Sequence, residues 1–153
     1  MRRGVIAMGK NSHGDTETVE RLLDSTLDSV DSAEALAMRV AEQAGVDEDD
    51  VHKIAMAVRE SMVNAVVHGN RYNAHKKVRL SVSKGPREFV VRIADEGDGF
   101  DYDGLPDPLA HENLLRHSGR GIFLIKAFMD DFQVRRLQPA GTEVTLVKHL
   151  VSK

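Results

Sequence analysis

Cysteine is absent from the 153 residues of this chain, which excludes disulfide bonds, thiol catalysis and most structural zinc sites. No apolar run approaches the roughly 20 residues that a membrane-spanning helix requires. An excess of basic charge is also missing, since 21 Lys and Arg stand against 24 Asp and Glu, a net charge of −3. Domains that hold nucleic acid through general phosphate attraction usually carry such an excess. We therefore expect a cytoplasmic protein that binds neither nucleic acid directly nor a membrane.

The residues that are present form an ordinary globular mixture, with 41% hydrophobic and 29% charged residues. The length fits one compact domain, since domains typically run to roughly 100–200 residues. Residues 1–16 mix Gly, Ser, Asn and charges without a period, which predicts a flexible N-terminal tail. Residues 17–153 are expected to form a single domain.

Hydrophobic periodicity predicts the elements of the first half. A strand is expected from Thr18 to Leu27, followed by a helix over Ala33–Ala44 that ends at Gly45. A second helix begins in the acidic segment 47–50, which suits the positive end of a helix dipole, and runs to about His68, where Gly69-Asn70 stops it.

The second half combines hairpins with one long loop and one helix. The expected elements are a hairpin with strands around 78–82 and 89–93, a lid-like loop over 101–118, a helix opened by Gly119, and a final hairpin of 132–137 and 142–150. This order predicts an α/β (α+β) two-layer sandwich, whose mixed, mostly antiparallel sheet is covered by helices on one face.

Glu60 and Asn64 are the most informative polar pair of the second helix. They lie one turn apart, roughly opposite the aliphatic stripe, so their side chains come within about 6 Å of each other. A carboxylate and a carboxamide in this arrangement can share one Mg²⁺ and its water shell, since Mg²⁺ takes one or two protein oxygens plus phosphates. A solvated polar surface is the alternative interpretation.

Two glycine-containing segments are candidates for ligand contacts. Asp95 ends a predicted strand and starts the segment DEGDGF, in which Gly97 and Gly99 allow a planar ligand to approach, while the carboxylate can accept from an exocyclic amine. The segment 118–121 (SGRG) opens a helix, and exposed N–H groups there favour an anion. A common turn and a close-packing glycine are the respective alternatives.

Taken in order, these segments resemble the motifs of one ATPase superfamily. They are 60–70 (ESMVNAVVHGN), 95–100 (DEGDGF), 118–122 (SGRGI) and the pair Gly141-Thr142. The superfamily is the one shared by gyrase, the heat-shock chaperones, the sensor histidine kinases and the mismatch-repair ATPases (GHKL). Residues 60–70, 121–130 (GIFLIKAFMD) and 141–146 (GTEVTL) are most similar to the anti-sigma factor serine kinases, and the resemblance covers roughly residues 18–150.

The resemblance implies a Bergerat-type ATP-binding fold that uses ATP and Mg²⁺. Glu60 would be the general base and Asn64 the magnesium ligand. Asp95 would accept from the adenine amino group, with Thr142 assisting. Gly97 and Gly99 would leave space for the base. The N–H groups of Gly119, Arg120 and Gly121 would contact the phosphates. Arg116 would be a cation of the lid, although a surface role for it is an equal alternative.

The same resemblance implies a kinase that binds a sigma factor and phosphorylates a STAS-domain (sulfate-transporter/anti-sigma-antagonist) protein, and that acts as a homodimer. One alternative is a non-catalytic ATP-sensing binding module, against which the carboxylate of Glu60 argues. Another is a stand-alone histidine-kinase catalytic domain. That class needs a phosphoacceptor histidine on a dimerising helical hairpin, which the sequence before residue 60 does not show.

Overall fold

The computed structural model describes residues 9–10, 16–97 and 117–150. The strands of this part of the chain form one six-stranded sheet in the order β1-β2-β3-β4-β6-β5. Each of the five pairings is antiparallel, which confirms the predicted two-layer α/β fold, and no parallel pair occurs among these strands. The elements in chain order are β1 (Gly9–Lys10), β2 (Glu17–Asp24), α1 (Leu27–Gln43), α2 (Glu48–Val63), a π-helix (Asn64–Gly69), β3 (Lys77–Lys84), β4 (Glu88–Ala94), α3 (His117–Phe128), β5 (Asp131–Arg136) and β6 (Thr142–His149).

One face of the sheet carries the hydrophobic core. Val82 of β3 pairs with Val91 of β4, which pairs with Leu146 of β6, and all three are buried. Helix α1 packs on β3, α2 packs on β4 and β6, and α3 packs on α2 and β5. Because side chains alternate between the two faces of a strand, the helices cover the apolar face alone. None of the helices in the described residues is long and apolar enough to cross a membrane.

Helix α1 begins at Leu27, well before the predicted start at Ala33, and β2 ends at Asp24 rather than at Leu27. Thr26 caps the helix, since its hydroxyl accepts from the N–H of Ser29 at 3.3 Å. The residues before Ala33 are rich in Ser and Asp, which favour caps and turns as readily as helix. Their helical character comes from this cap and from packing, which a local pattern does not reveal.

The predicted boundaries between α1 and α2 are confirmed. Gly45 has φ +82° and follows Ala44, the C-cap residue of α1, a position that favours glycine. Asp47 caps α2, because its carboxylate accepts from the N–H of Asp50 at 2.9 Å. The sequence gives no sign of the π-helix that follows α2, in which the N–H of Asn70 donates to the carbonyl of Ala65 at 2.8 Å.

The remaining predictions differ in their outcome. The two hairpins are present, with strands β3 and β4 and strands β5 and β6. Helix α3 begins at His117, so Gly119 does not open it and the predicted loop extends two residues too far. The rest of that loop, 101–116, lies outside the described residues. Within the segment predicted as a tail, Gly9–Lys10 pairs with β2, and residues 1–8 and 11–15 lie outside the described part.

One edge of the sheet brings together segments that are distant in the sequence. The N–H of Asp95, just after β4, donates to the carbonyl of Thr142 at the start of β6 at 2.9 Å. The carboxylate of Glu96 accepts from the N–H of Lys77, the first residue of β3, at 2.8 Å. The end of the π-helix reaches the same edge at Gly69, which lies against Asp95. Asp95 and Thr142, two of the candidate ligand-binding residues, therefore lie side by side here.

Candidate functional site

The junction of α2 with the π-helix holds Glu60 and Asn64. The N–H of Asn64 donates to the carbonyl of Glu60, so the two side chains are one helical turn apart as predicted. Glu60 is half-buried, but Asn64 is only 2% exposed, which excludes a solvated polar surface at this position. The burial of Asn64 therefore contradicts only the alternative interpretation of a solvated surface.

The carboxamide of Asn64 has unused hydrogen-bonding capacity. Its Nδ2 is buried and has no hydrogen-bond partner among the described residues. Buried polar groups are almost always paired, and an unpaired one costs roughly 1–3 kcal/mol, so the burial of this nitrogen lowers the stability of the fold. A buried carboxamide one turn from a carboxylate fits the sparse protein coordination that Mg²⁺ takes alongside phosphates.

Within the described residues, no group of three or more His, Cys, Asp or Glu side chains forms a cluster suited to a metal ion. Magnesium bound through Asn64 and nucleotide phosphates needs no such cluster.

Asp95 is a buried carboxylate at the end of β4. It is 6% exposed, and its Oδ1 accepts from the N–H of Gly97 at 2.9 Å. Burial raises the pKa of Asp95 above its ordinary value, while the main-chain amides of Gly97 and Thr142 and the charge of Lys76 act in the opposite direction. A carboxylate kept out of water in this way gains most from a ligand that donates a hydrogen bond to it.

Three glycines allow the main chain to close around Asp95. A Cβ atom on Gly69 would stand 2.5 Å from Asp95 Oδ2, and one on Gly97 would overlap the carbonyl oxygen of Gly69. Gly141 has φ +111°, and a Cβ there would overlap the carbonyl oxygen of Asp95. Of these three glycines, the sequence predicts a contact with the ligand only for Gly97. Gly69 and Gly141 were missed, since only the fold brings them to Asp95.

Thr142 lies beside Asp95 at the start of β6. It is 1% exposed, and its Oγ1 has no hydrogen-bond partner among the described residues. Together with Asp95, it places one buried carboxylate and one buried, unpaired hydroxyl on the same edge of the sheet. The structure thus brings Asp95, Gly97 and Thr142 together, as the sequence predicts.

The glycine segment of α3 lies in the first turns of the helix. Gly119, Arg120 and Gly121 follow the first helical residue, His117, and α3 packs against α2. In a helix that begins at His117, Gly119 is the last residue whose N–H group lacks a partner within the helix and can face an anion. The side chain of Arg120 is not among those described, and the predicted site residues Gly99 and Arg116 lie outside the described residues.

Comparison with known proteins agrees with this geometry. Residues 23–148 match the family described as a histidine kinase-like ATPase domain. The anti-sigma F factor of Bacillus subtilis is 34% identical over 104 residues, covering 67% of this chain and 71% of that protein. The serine-protein kinase RsbW of Bacillus velezensis is 34% identical over 119 residues, covering 72% of each chain.

The match extends further at lower identity. The serine-protein kinase RsbW of Staphylococcus epidermidis is 27% identical over 139 residues, which cover 86% of each chain. The family resemblance drawn from the sequence motifs is thereby confirmed. The chain belongs to the histidine kinase-like ATPase family and is similar to its anti-sigma factors and serine-protein kinases.

Proposed function

We propose that this protein is an ATP-dependent protein-serine/threonine kinase that binds a sigma factor and phosphorylates a STAS-domain anti-sigma-factor antagonist. The observation that carries the proposal is the pair at the end of α2, where half-buried Glu60 lies one turn from the buried carboxamide of Asn64, whose Nδ2 has no hydrogen-bond partner among the described residues. A module that only sensed ATP would not need a carboxylate there. The similarity to an anti-sigma F factor and to the serine-protein kinase RsbW supports the same function.

The adenine of ATP would be bound at the end of β4. The carboxylate of Asp95 would accept from the exocyclic amine, Thr142 Oγ1 would complete the contact, and Gly97 and Gly99 would leave room for the ring. This assignment explains why one carboxylate and one hydroxyl are buried side by side, since adenine supplies partners to groups that otherwise cost stability.

The phosphates need compensation, because ATP carries about four negative charges and the protein itself carries −3. The N–H groups of Gly119, Arg120 and Gly121 at the start of α3 would supply part of it, and Arg116 would add a cation. Asn64 would hold Mg²⁺, which when bound neutralises phosphate charge and orients the γ-phosphoryl group.

Phosphoryl transfer would then depend on Glu60. Its carboxylate would accept the proton of a substrate serine hydroxyl as the serine oxygen forms a bond to the γ-phosphorus. The bond from that phosphorus to the oxygen bridging the β- and γ-phosphates breaks, and the electron pair leaves with ADP. The products are phosphoserine, ADP and the proton held by Glu60.

The wider setting of the activity follows from the same assignment. We propose that the protein is cytoplasmic, acts as a homodimer and contacts no DNA itself, so that its effect on transcription passes through the sigma factor. Phosphorylation would inactivate the antagonist, which otherwise releases the sigma factor. Residues 17–153 would then constitute a single kinase domain.

Incubation with γ-labelled ATP, Mg²⁺ and a STAS-domain protein tests the proposal. We expect label on a serine of the partner, and none when ATP carries the label on its α-phosphate. Tight ATP binding without transfer would favour the ATP-sensing module, and acid-labile label would favour a histidine kinase. Failure to bind ATP in the presence of Mg²⁺ would contradict the whole assignment.

A further inference from the structure

Asn70 is a buried side chain to which the sequence assigns only the role of stopping a helix. It is 1% exposed and lies directly after the π-helix. Its main-chain N–H closes the last π-type hydrogen bond, to the carbonyl of Ala65 at 2.8 Å. A fully enclosed carboxamide at this point must find its hydrogen-bond partners within the protein.

The amide nitrogen of Asn70 ties two segments together. Nδ2 donates to Ser25 Oγ at 2.9 Å and to the carbonyl of Lys77 at 3.0 Å. Ser25 Oγ in turn donates to the carbonyl of Lys76 at 2.5 Å. The connection between β2 and α1 is thereby joined to the start of β3 through one side chain.

The amide oxygen of Asn70 holds the residue after Asp95. Oδ1 accepts from the N–H of Glu96 at 2.8 Å, and the carboxylate of Glu96 is itself bound to the N–H of Lys77. The N–H of Asp95 is fixed separately, by the carbonyl of Thr142. The peptide groups on both sides of the Asp95 Cα atom are therefore anchored, one by β6 and one by Asn70.

The backbone after Asn70 supports a role beyond simple packing. Arg71 and Tyr72 have φ values of 52° and 59°, the left-handed region that non-glycine residues rarely adopt. Such conformations persist where the surroundings hold them, and they cluster at functional sites. The chain thus turns away sharply right after Asn70 while the side chain of Asn70 stays fixed beneath the Asp95–Gly97 turn.

We propose that Asn70 is a positioning residue for recognition of the nucleobase. By holding the N–H of Glu96, it sets the direction in which the Asp95 carboxylate points, without itself touching the nucleotide. This inference rests on the proposed role of Asp95 as the acceptor for the adenine amino group. Loss of this positioning should reduce discrimination between adenine and other bases, since the phosphates would be bound elsewhere in the site.

Inosine triphosphate (ITP) is a suitable probe, because it has a carbonyl oxygen where ATP has the amino group and otherwise presents the same sugar and phosphates. An oxygen facing the Asp95 carboxylate is an acceptor facing an acceptor. The ratio of the two dissociation constants therefore reports how well Asp95 is aimed, whereas a general loss of stability weakens both ligands together.

The test compares Asn70→Ala with Asn73→Ala in the full-length protein, by calorimetric titration with ATP and with ITP in the presence of Mg²⁺. Asn73 is a matched control, because it is an exposed asparagine in the same connection whose side chain accepts from the N–H of His75 at 2.8 Å. We expect Asn73→Ala to keep the preference for ATP. Asn70→Ala is expected to lower it about tenfold, the effect of misaligning one hydrogen bond to a charged group.

Folding of the variants is checked by circular dichroism and thermal unfolding before titration. If Asn70→Ala is unfolded at the assay temperature, Ser25→Ala is measured instead, since it removes one hydrogen-bond partner of Asn70. It should lower the preference for ATP over ITP by a smaller factor than Asn70→Ala. If Asn70→Ala, or Ser25→Ala in its place, is folded and keeps the full ATP preference of the unaltered protein, the positioning role alone is overturned. If the unaltered protein shows no preference for ATP over ITP, both the role of Asp95 and this inference are wrong.

Discussion

The carboxylate of Asp95 lies directly against the main chain of Gly69. A Cβ atom on residue 69 would stand 2.5 Å from Asp95 Oδ2 and 2.6 Å from its Cγ. Gly69 ends the π-helix that begins with Asn64, so the candidate metal ligand and the candidate adenine acceptor are joined by one short, continuous element. The π-helix therefore runs from the candidate metal ligand to a glycine that contacts the candidate adenine acceptor.

Substitution of this glycine is expected to damage the nucleotide site and the fold together. Gly69→Ala places a methyl group where the Asp95 carboxylate now lies, so the carboxylate must move, at a cost of about 1–3 kcal/mol in unfolding free energy. ATP affinity should fall at least about tenfold, since a hydrogen bond to a charged group is lost. Chemical denaturation and calorimetric titration measure the two effects.

Gly45→Ala is the control for that prediction. Gly45 also adopts positive φ, but no atom lies within 4 Å of the Cβ position. The substitution should cost about 1 kcal/mol through backbone strain and leave ATP affinity unchanged. Equal loss of affinity in both variants would show that Gly69 acts only through stability.

The raised pKa of Asp95 predicts a pH dependence with a definite sign. An acid whose pKa is higher in the folded state than its ordinary value of 3.8 favours folding while it is protonated, and this advantage is lost as pH rises through the folded-state pKa. In the absence of nucleotide, Asp95→Asn should therefore be at least as stable as the unaltered protein at neutral pH. The difference should vanish as pH falls below the ordinary value.

Thermal unfolding of Asp95→Asn and of the unaltered protein across a pH series checks this sign. The same variant should bind ATP more weakly, because a charged acceptor is replaced by a neutral one. A variant that is less stable than the unaltered protein at neutral pH would contradict the view that the carboxylate is maintained for ligand binding at the expense of stability.

Thr142→Val is expected to separate stability from binding in the same way. Removing a buried hydroxyl that has no partner among the described residues should raise the unfolding free energy by about 1 kcal/mol. ATP affinity should fall about fivefold, the size of one neutral hydrogen bond. Denaturant titration and calorimetry measure both quantities.

Ser61→Ala serves as the matched substitution. Ser61 Oγ is also buried without a partner among the described residues, but Ser61 has no proposed contact with ATP. We expect a similar gain in stability with unchanged affinity. A loss of ATP affinity in Ser61→Ala as large as in Thr142→Val would remove the support for an adenine contact by Thr142.

Local patterns in the sequence were sufficient for much of the site. Asp95 and Gly97 follow a strand with clear alternation, and the acidic start and aliphatic stripe of α2 fix the turn on which Glu60 and Asn64 lie. These signals are short-range, because strand and helix periods depend on neighbouring residues. The motifs around them also occur in the order that is typical of the family, and this order predicts the fold.

What the sequence did not reveal depends on contacts between distant segments. The sequence leaves open whether Asn64 belongs to a solvated polar surface, whereas the structure buries it at the start of the π-helix. The sequence indicates only that Gly69 and Asn70 end a helix. In the structure Gly69 lies against Asp95, and Asn70 accepts from the N–H of Glu96, 26 residues away. The early start of α1 at Leu27 was hidden for a related reason, since Ser and Asp favour several local structures and tertiary packing selects one.

The central claim is that Glu60 acts as a base in phosphoryl transfer and not as a support for the nucleotide site. Its most direct test measures ATP affinity and the rate of serine phosphorylation of a STAS-domain partner in Glu60→Gln, with Glu42→Gln on the exposed side of α1 as the matched control. We expect ATP affinity close to that of the unaltered protein in both variants, and a rate lowered about 10²–10⁴-fold in Glu60→Gln alone. An unchanged rate in Glu60→Gln, or a loss of ATP affinity as large as the loss of rate, would contradict the claim.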